Sequence, residues 1–290
     1  MKKLITLFFC IILIFVLLLA SDTKEITTNA IVPFVITVLP TLAPALLLNN
    51  LISYSGGFLS FVNKKERNSK IYNFNIAFLI ISGLISGTPA LASSIDHEIN
   101  KSISKEDGEL ILECFSFPSL PFIIALINIS TWPKRELLLS IFIPYILAIS
   151  YFLLKYPKTN HLKEFNFNQE IEKNFFSKAI LKTFKSIILM TGSILFFSLF
   201  LIILIKIIPL PYIFYIQGIL EFSYPLTYLF NNYSILNQIT STFIFAFSSI
   251  SLLMQIHLLV KDINIIKITK KRLGLAAIST LIIILFAFIF

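Results

Sequence analysis

The sequence predicts an all-α integral membrane protein, a polytopic helical bundle with discontinuous or re-entrant helices and an inverted-topology repeat. Three observations point there. Hydrophobic residues make up 57% of the 290 positions and charged residues only 13%, with a mean hydropathy of +0.88. A soluble domain of this size needs about a quarter of its residues charged. The uncharged runs are also long enough, at about 20 residues, to cross a hydrocarbon core as helices. Finally, the 24 Lys and Arg against 15 Asp and Glu cluster in short loops beside those runs, where they set orientation rather than attract a polyanion. Nucleic acid is therefore excluded as a partner. Cys10 and Cys114 both fall in apolar stretches, so neither a disulfide framework nor a cysteine metal site is expected.

The chain reads as a single membrane domain, 1–290. Leu4 to Ala20 follows Lys2 and Lys3 and is apolar apart from Thr6. It reads as an uncleaved first transmembrane helix (1–20), because bulky Leu18 stands where a signal peptidase wants a small residue. A first repeat half is assigned to 30–154, a basic cytoplasmic linker to 155–185 and a second half to 186–290. The further uncharged runs are Ala30 to Ile52, Ile76 to Ile95, Cys114 to Pro133, Leu137 to Leu154, Ser186 to Ile205, Phe222 to Val260 and Leu273 to Phe290. Phe222 to Val260 is too long for one span, and Tyr224-Pro225 with Asn231-Asn232 predicts a break that leaves Ile235 to Val260.

Three basic loops should share the cytoplasmic side: Asn63 to Lys70, Lys155 to Lys185 with seven lysines, and Lys261 to Arg272. Three full crossings between the first two would separate them, so one segment must turn back. The candidates are Ser82 to Pro89 and Phe117 to Pro121, with the first preferred. Gly and Pro together at mid-membrane free backbone groups that only protein or a water-filled cavity can satisfy. Ser104-Lys105-Glu106-Asp107 is a capping box, predicting an amphipathic surface helix or a solvated connector over Glu106 to Glu113. Asp96-His97-Glu98 reads as a loop triplet. Trp132, Tyr145 and Tyr156 are suited to membrane interfaces, and Lys206 to snorkelling.

The two halves carry a weak duplication. Ile31 to Ile52 followed by Ile76 to Ile95 matches Ser186 to Ile205 followed by Ile235 to Val260, with Ser248-Ser249-Ile250-Ser251 at the place of the first break. By the charge rule the halves run in opposite directions, as in transporters whose discontinuous helices meet at the midplane.

Val38 to Pro44, Gly83 to Ala92 and Ile103 to Asp107, then Gln217 to Phe222 and Leu253 to Ile256, occur in an order that resembles the YlbJ-like sporulation integral membrane proteins. These are similar in turn to the nucleoside-recognition gate domain of nucleoside-type transporters. The chain departs from that pattern at Thr88, at Phe115 to Pro121 and at Ser248-Ser249, where the family has an aromatic residue, an asparagine-rich segment and a glycine pair. The resemblance implies a multi-pass protein of the cell membrane, in the mother cell or forespore. It also implies passage of a small carboxylate-bearing solute such as dipicolinate during endospore formation.

The residues expected to bind solute are Ser86, Gly87, Thr88, Pro89, Ser116, Ser119, Pro121, Glu221, Ser248, Ser249 and Gln255. Hydroxyls and freed N–H groups at helix starts suit an anion. Glu221 is the single acidic residue between Glu172 and Asp262, and an ionisable group at membrane depth marks function. It is expected to be protonated in an apolar cavity or paired with a travelling cation. Gln255 and His257 sit on different faces of one helix, with Gln255 the better candidate. Small residues also serve plain helix packing. No Walker loop, HExxH helix, nucleophile elbow or GxGxxG loop is present, so no enzyme activity and no cofactor or metal is expected. The expected function is a transporter or permease whose partners are membrane lipids, a small-molecule solute and a coupling ion or proton, with a homo-oligomer open. The alternative is a non-transporting sporulation scaffold that anchors envelope partners through its basic loops.

Overall fold

The structure is a computed structural model; it describes residues 10, 13–14, 17–55, 69–99, 103–156, 174–205, 208–261 and 263–289. Most of the predicted first helix, most of the loop at Asn63 to Lys70, the middle of the 155–185 linker, and Lys206 lie outside these residues. Among those described the chain is helical, with one isolated bridge between Ile99 and Ile103. Five helical stretches are long and apolar enough to cross a membrane, which makes this a multi-pass helical membrane protein.

The first long element is α1 (Ala20–Pro33), a π-helical segment (Phe34–Val38) and α2 (Leu39–Tyr54). The π segment falls just after Pro33 and before Pro40, where proline removes ladder hydrogen bonds. Next, α3 (Ser69–Ser86) and α4 (Thr88–Glu98) are separated by Gly87 alone, at φ 79°. The chain doubles back there. A Cβ built on Gly83 would lie 2.9 Å from the side chain of Leu91, whereas residues eight apart in a straight helix are separated by about 12 Å.

The pair α5 (Lys105–Phe115) and α6 (Leu120–Ile129) instead forms one interrupted span, broken at residues 116–119. Ser104 caps α5 by accepting from Asp107 N at 3.1 Å, as the capping box predicts. The helix is nevertheless no surface element: Asp107, Glu109 and Glu113 are buried. Glu109 and Glu113 pair with Lys267 at 2.9 and 3.4 Å, which makes their burial tolerable. The helix α7 (Lys134–Lys155) then crosses without a break.

A long helix α8 (Phe175–Ile205) is followed by α9 (Leu210–Leu220) and α10 (Ser223–Asn231), a second helical hairpin turning at Glu221-Phe222. Phe214 stacks on Tyr228 at 3.8 Å across it. Pro225 sits in the first turn of α10, where a missing N–H costs little, so the break falls before the predicted Tyr224-Pro225. Then come a second interrupted span, α11 (Ile235–Phe247) and α12 (Ser249–Leu259), and a continuous helix, α13 (Ile265–Ile289).

Three features of the predicted connecting segments are corrected. The last eleven residues of the 155–185 linker belong to α8, and its Lys182 pairs with Asp96 at 2.6 Å. Asp96-His97-Glu98 is the end of α4 rather than a loop. Likewise α13 begins at Ile265, inside the predicted Lys261 to Arg272 loop.

Contacts define two ends of the bundle. At one, His97 packs on Tyr54, Asp96 meets Lys182 and the Lys261 amide, and Glu109 accepts from the Asn264 amide. At the other, Trp132 stacks on Phe230 at 4.7 Å and donates Nε1–H to the Leu229 carbonyl, while Thr131 reaches the Asn231 carbonyl. The last turn of α4, at Asp96 and His97, therefore lies at one end and the last turn of α10, at Leu229 and Asn231, at the other. Tyr145 lies at neither: it packs between Phe117 and Phe245 in the interior.

Candidate functional site

The chain breaks meet in two adjoining layers. In the first, Gly87, Thr88, Pro89, Ser119, Glu221 and Gln255 line one cavity of about 50 Å³. Gly87 is there because nothing larger fits: a Cβ would stand 2.8 Å from the Ser119 backbone nitrogen, at a φ that L-residues rarely adopt. Thr88 then fastens the tip of the first hairpin to the break of α5–α6. Its amide and its hydroxyl both donate to the Phe117 carbonyl, at 3.1 and 2.9 Å.

Glu221 forms the opposite wall. It is 4% exposed, and its carboxylate accepts from the Ser223 amide at 3.0 and 3.1 Å and from the Ser223 hydroxyl at 2.6 Å. It thus sits on the N-terminus of α10, where the helix dipole favours negative charge. None of the ion pairs among the described residues involves it. Gln255, 3% exposed, donates to Ser193 Oγ at 2.7 Å, and its Oε1 has no hydrogen-bond partner.

The second layer is centred on Arg272, a residue that sequence reasoning assigned to a basic loop. Arg272 is completely buried. Its guanidinium donates to Ser248 Oγ and, at 3.4 Å, to the Cys114 carbonyl, and lies 4.3 Å from the centre of the Phe117 ring. Ser248 Oγ in turn donates to the Ser116 carbonyl. One side chain therefore ties the C-terminal end of α5 to that of α11, and the negative ends of two helix dipoles offset its charge. No carboxylate among the described residues pairs with it. A periodicity signal was available. Ile268, Arg272, Ala276, Ser279 and Ile283 form the buried stripe of α13, so counting back from small Ala276 and Ser279 at helical spacing places Arg272 inward. Arginine is also the cation suited to such burial.

Ser248 and Ser249, which stand where the resembled family has glycines, both have positive φ, 70° and 59°. Serine here holds a backbone conformation that glycine adopts without strain. Of the remaining predicted residues, Ser86 is buried at the end of α3, and Ser116 and Ser248 belong to the arginine layer rather than the cavity. Ser249 accepts weakly from the Leu252 amide at 3.5 Å, and Pro121 is half-buried in the first turn of α6. His257 is exposed. Sequence reading missed Ser193 and Ser223 as well, since isolated serines on apolar helices carry no distinguishing pattern.

Comparison with family models, with curated proteins and with solved structures yields no match.

Proposed function

We propose that this protein is a membrane transporter or permease for a small polar, carboxylate-bearing solute, built from two inverted halves. The order of a long helix, a hairpin, an interrupted span and a continuous span occurs in 20–155 and again in 175–289. This pairs α3–α4 with α9–α10 and α5–α6 with α11–α12, one element along from the matching made by sequence. The hairpins end at opposite ends of the bundle, as inversion requires. By the excess of lysine, the end carrying Asp96, Lys182 and Lys261 is cytoplasmic.

The observation that carries the reading is the convergence of chain breaks from both halves on one buried cavity whose wall includes an ion-pair-free carboxylate. Irregular backbone at membrane depth is tolerated where it lines such a cavity, and a buried ionisable group there marks a solute or ion path. At about 50 Å³ the cavity holds a few waters. Pockets for organic ligands run from about 300 Å³ upward, so loading with a dicarboxylic acid requires the hairpins to separate. Association with sporulation and a dipicolinate-like solute rest on the sequence resemblance alone. Uptake by proteoliposomes against a panel of small carboxylates and nucleosides tests the reading. A saturable uptake that Glu221→Gln alters in pH or ion dependence is expected; uptake of none of the panel, with the protein folded, favours the scaffold.

A further inference from the structure

We propose that the cavity between Glu221 and Gln255 is a binding site for a desolvated monovalent cation of about sodium size. The site is argued from its own geometry; its part in coupling rests on the transport reading above. An anion would be drawn to helix N-termini with open N–H groups, but at the two hairpin turns that line the cavity those groups are spent. The Gly87 amide donates to the Gly83 carbonyl, the Thr88 amide to Phe117, and the Ser223 amide to Glu221 itself.

What the cavity offers is acceptors. Glu221 is the one titratable side chain in its lining, and Gln255 contributes an oxygen with no donor. The orientation of that amide follows from its neighbour: Ser193 Oγ gives its proton to the Met190 carbonyl at 2.8 Å, leaving it an acceptor for Gln255 Nε2 at 2.7 Å. Oε1 is thereby left without a partner. Thr88 Oγ1, whose proton goes to Phe117, keeps lone pairs on the same cavity. A buried acceptor without a donor and a buried carboxylate without a cation are each costly. One cation with a water or two relieves both, and about 50 Å³ has room for them. A single carboxylate balances one positive charge, which disfavours a divalent ion.

The test uses the full chain in nanodiscs without any solute, so that it is independent of transport. Thermal unfolding is followed as NaCl replaces choline chloride at constant ionic strength and pH, alongside direct binding of radioactive sodium. The expected result is a saturable rise of Tm with sodium that Glu221→Gln abolishes. Gln255→Leu, close in size to the parent side chain, should weaken sodium at least about tenfold, or 1.4 kcal/mol. The exposed Lys270→Gln should leave it unchanged. If Glu221→Gln does not fold, Gln255→Leu carries the test alone. Equal Tm in sodium and choline, a response to pH only, or a Gln255→Leu protein that binds sodium like the parent overturns the proposal.

Discussion

The interrupted spans α5–α6 and α11–α12 and the continuous helix α13 are each 25 residues long and strongly apolar, yet they occupy different places. In the interrupted pair 72% of the hydrophobic window is buried inside the protein, against 22% for α13. Length and hydropathy thus mark a helix as membrane-compatible without saying whether it faces lipid. What separates the two kinds is what their backbones need. The continuous helices have no break in mid-span that strands a run of carbonyls, and they turn side chains such as Phe142, Ile146, Leu281 and Leu285 outward. The interrupted ones expose carbonyls at Cys114, Ser116 and Phe117 that must be met by Arg272, Ser248 and Thr88, and so they go inside.

If that contrast is right, the largest effect should come from the residue that serves both breaks at once. Arg272→Ala removes two donors, a ring contact and a large buried volume, and should cost about 3 kcal/mol or more in unfolding experiments in detergent. Arg272→Lys, which keeps the charge and loses the fork, should cost roughly half as much. Gly87→Ala comes next, at about 1–3 kcal/mol, because the new Cβ meets main chain at Ser119 and the positive φ is strained for any L-residue. This also means that a bulkier residue at Gly87 reports on folding before it reports on transport.

Ser248 and Ser249 sharpen the comparison within one break. Ser248→Ala loses the links to Arg272 and Ser116 and should destabilise by about 1–2 kcal/mol. Ser249→Gly relieves a left-handed serine and should stabilise by up to about 1 kcal/mol. The smallest effects belong to the outer faces: Ile146→Ala or Leu285→Ala should stay within about 0.5 kcal/mol of the parent. A large loss there would mean that these faces are covered by protein.

The span lengths, the small-residue break at Gly87 and the isolation of Glu221 were legible in the sequence because each is a local departure from an apolar background. Arg272 was not, since it ends a lysine-rich run and only its partners across the bundle show that it faces inward. Burial of Glu109 and Glu113 was hidden for a similar reason: the lysine that pairs with them is 158 and 154 positions along the chain. The pairing of the halves that we propose differs from the match read in the sequence because Ser248 resembles the break at Gly87 in composition, while the hairpin turns depend on close approaches, Gly83 to Leu91 and Phe214 to Tyr228, that no local pattern carries.

The most direct test of the inverted arrangement is the sidedness of its two ends. Single cysteines are placed at exposed Lys261 and exposed Asn232 in a chain whose Cys10 and Cys114 are replaced, and intact cells are treated with an impermeant thiol reagent. The cysteine at 232 should react from outside and the one at 261 only after permeabilisation. Reaction of both from the same side would contradict the account, because the two hairpins would then no longer return to opposite faces of the membrane.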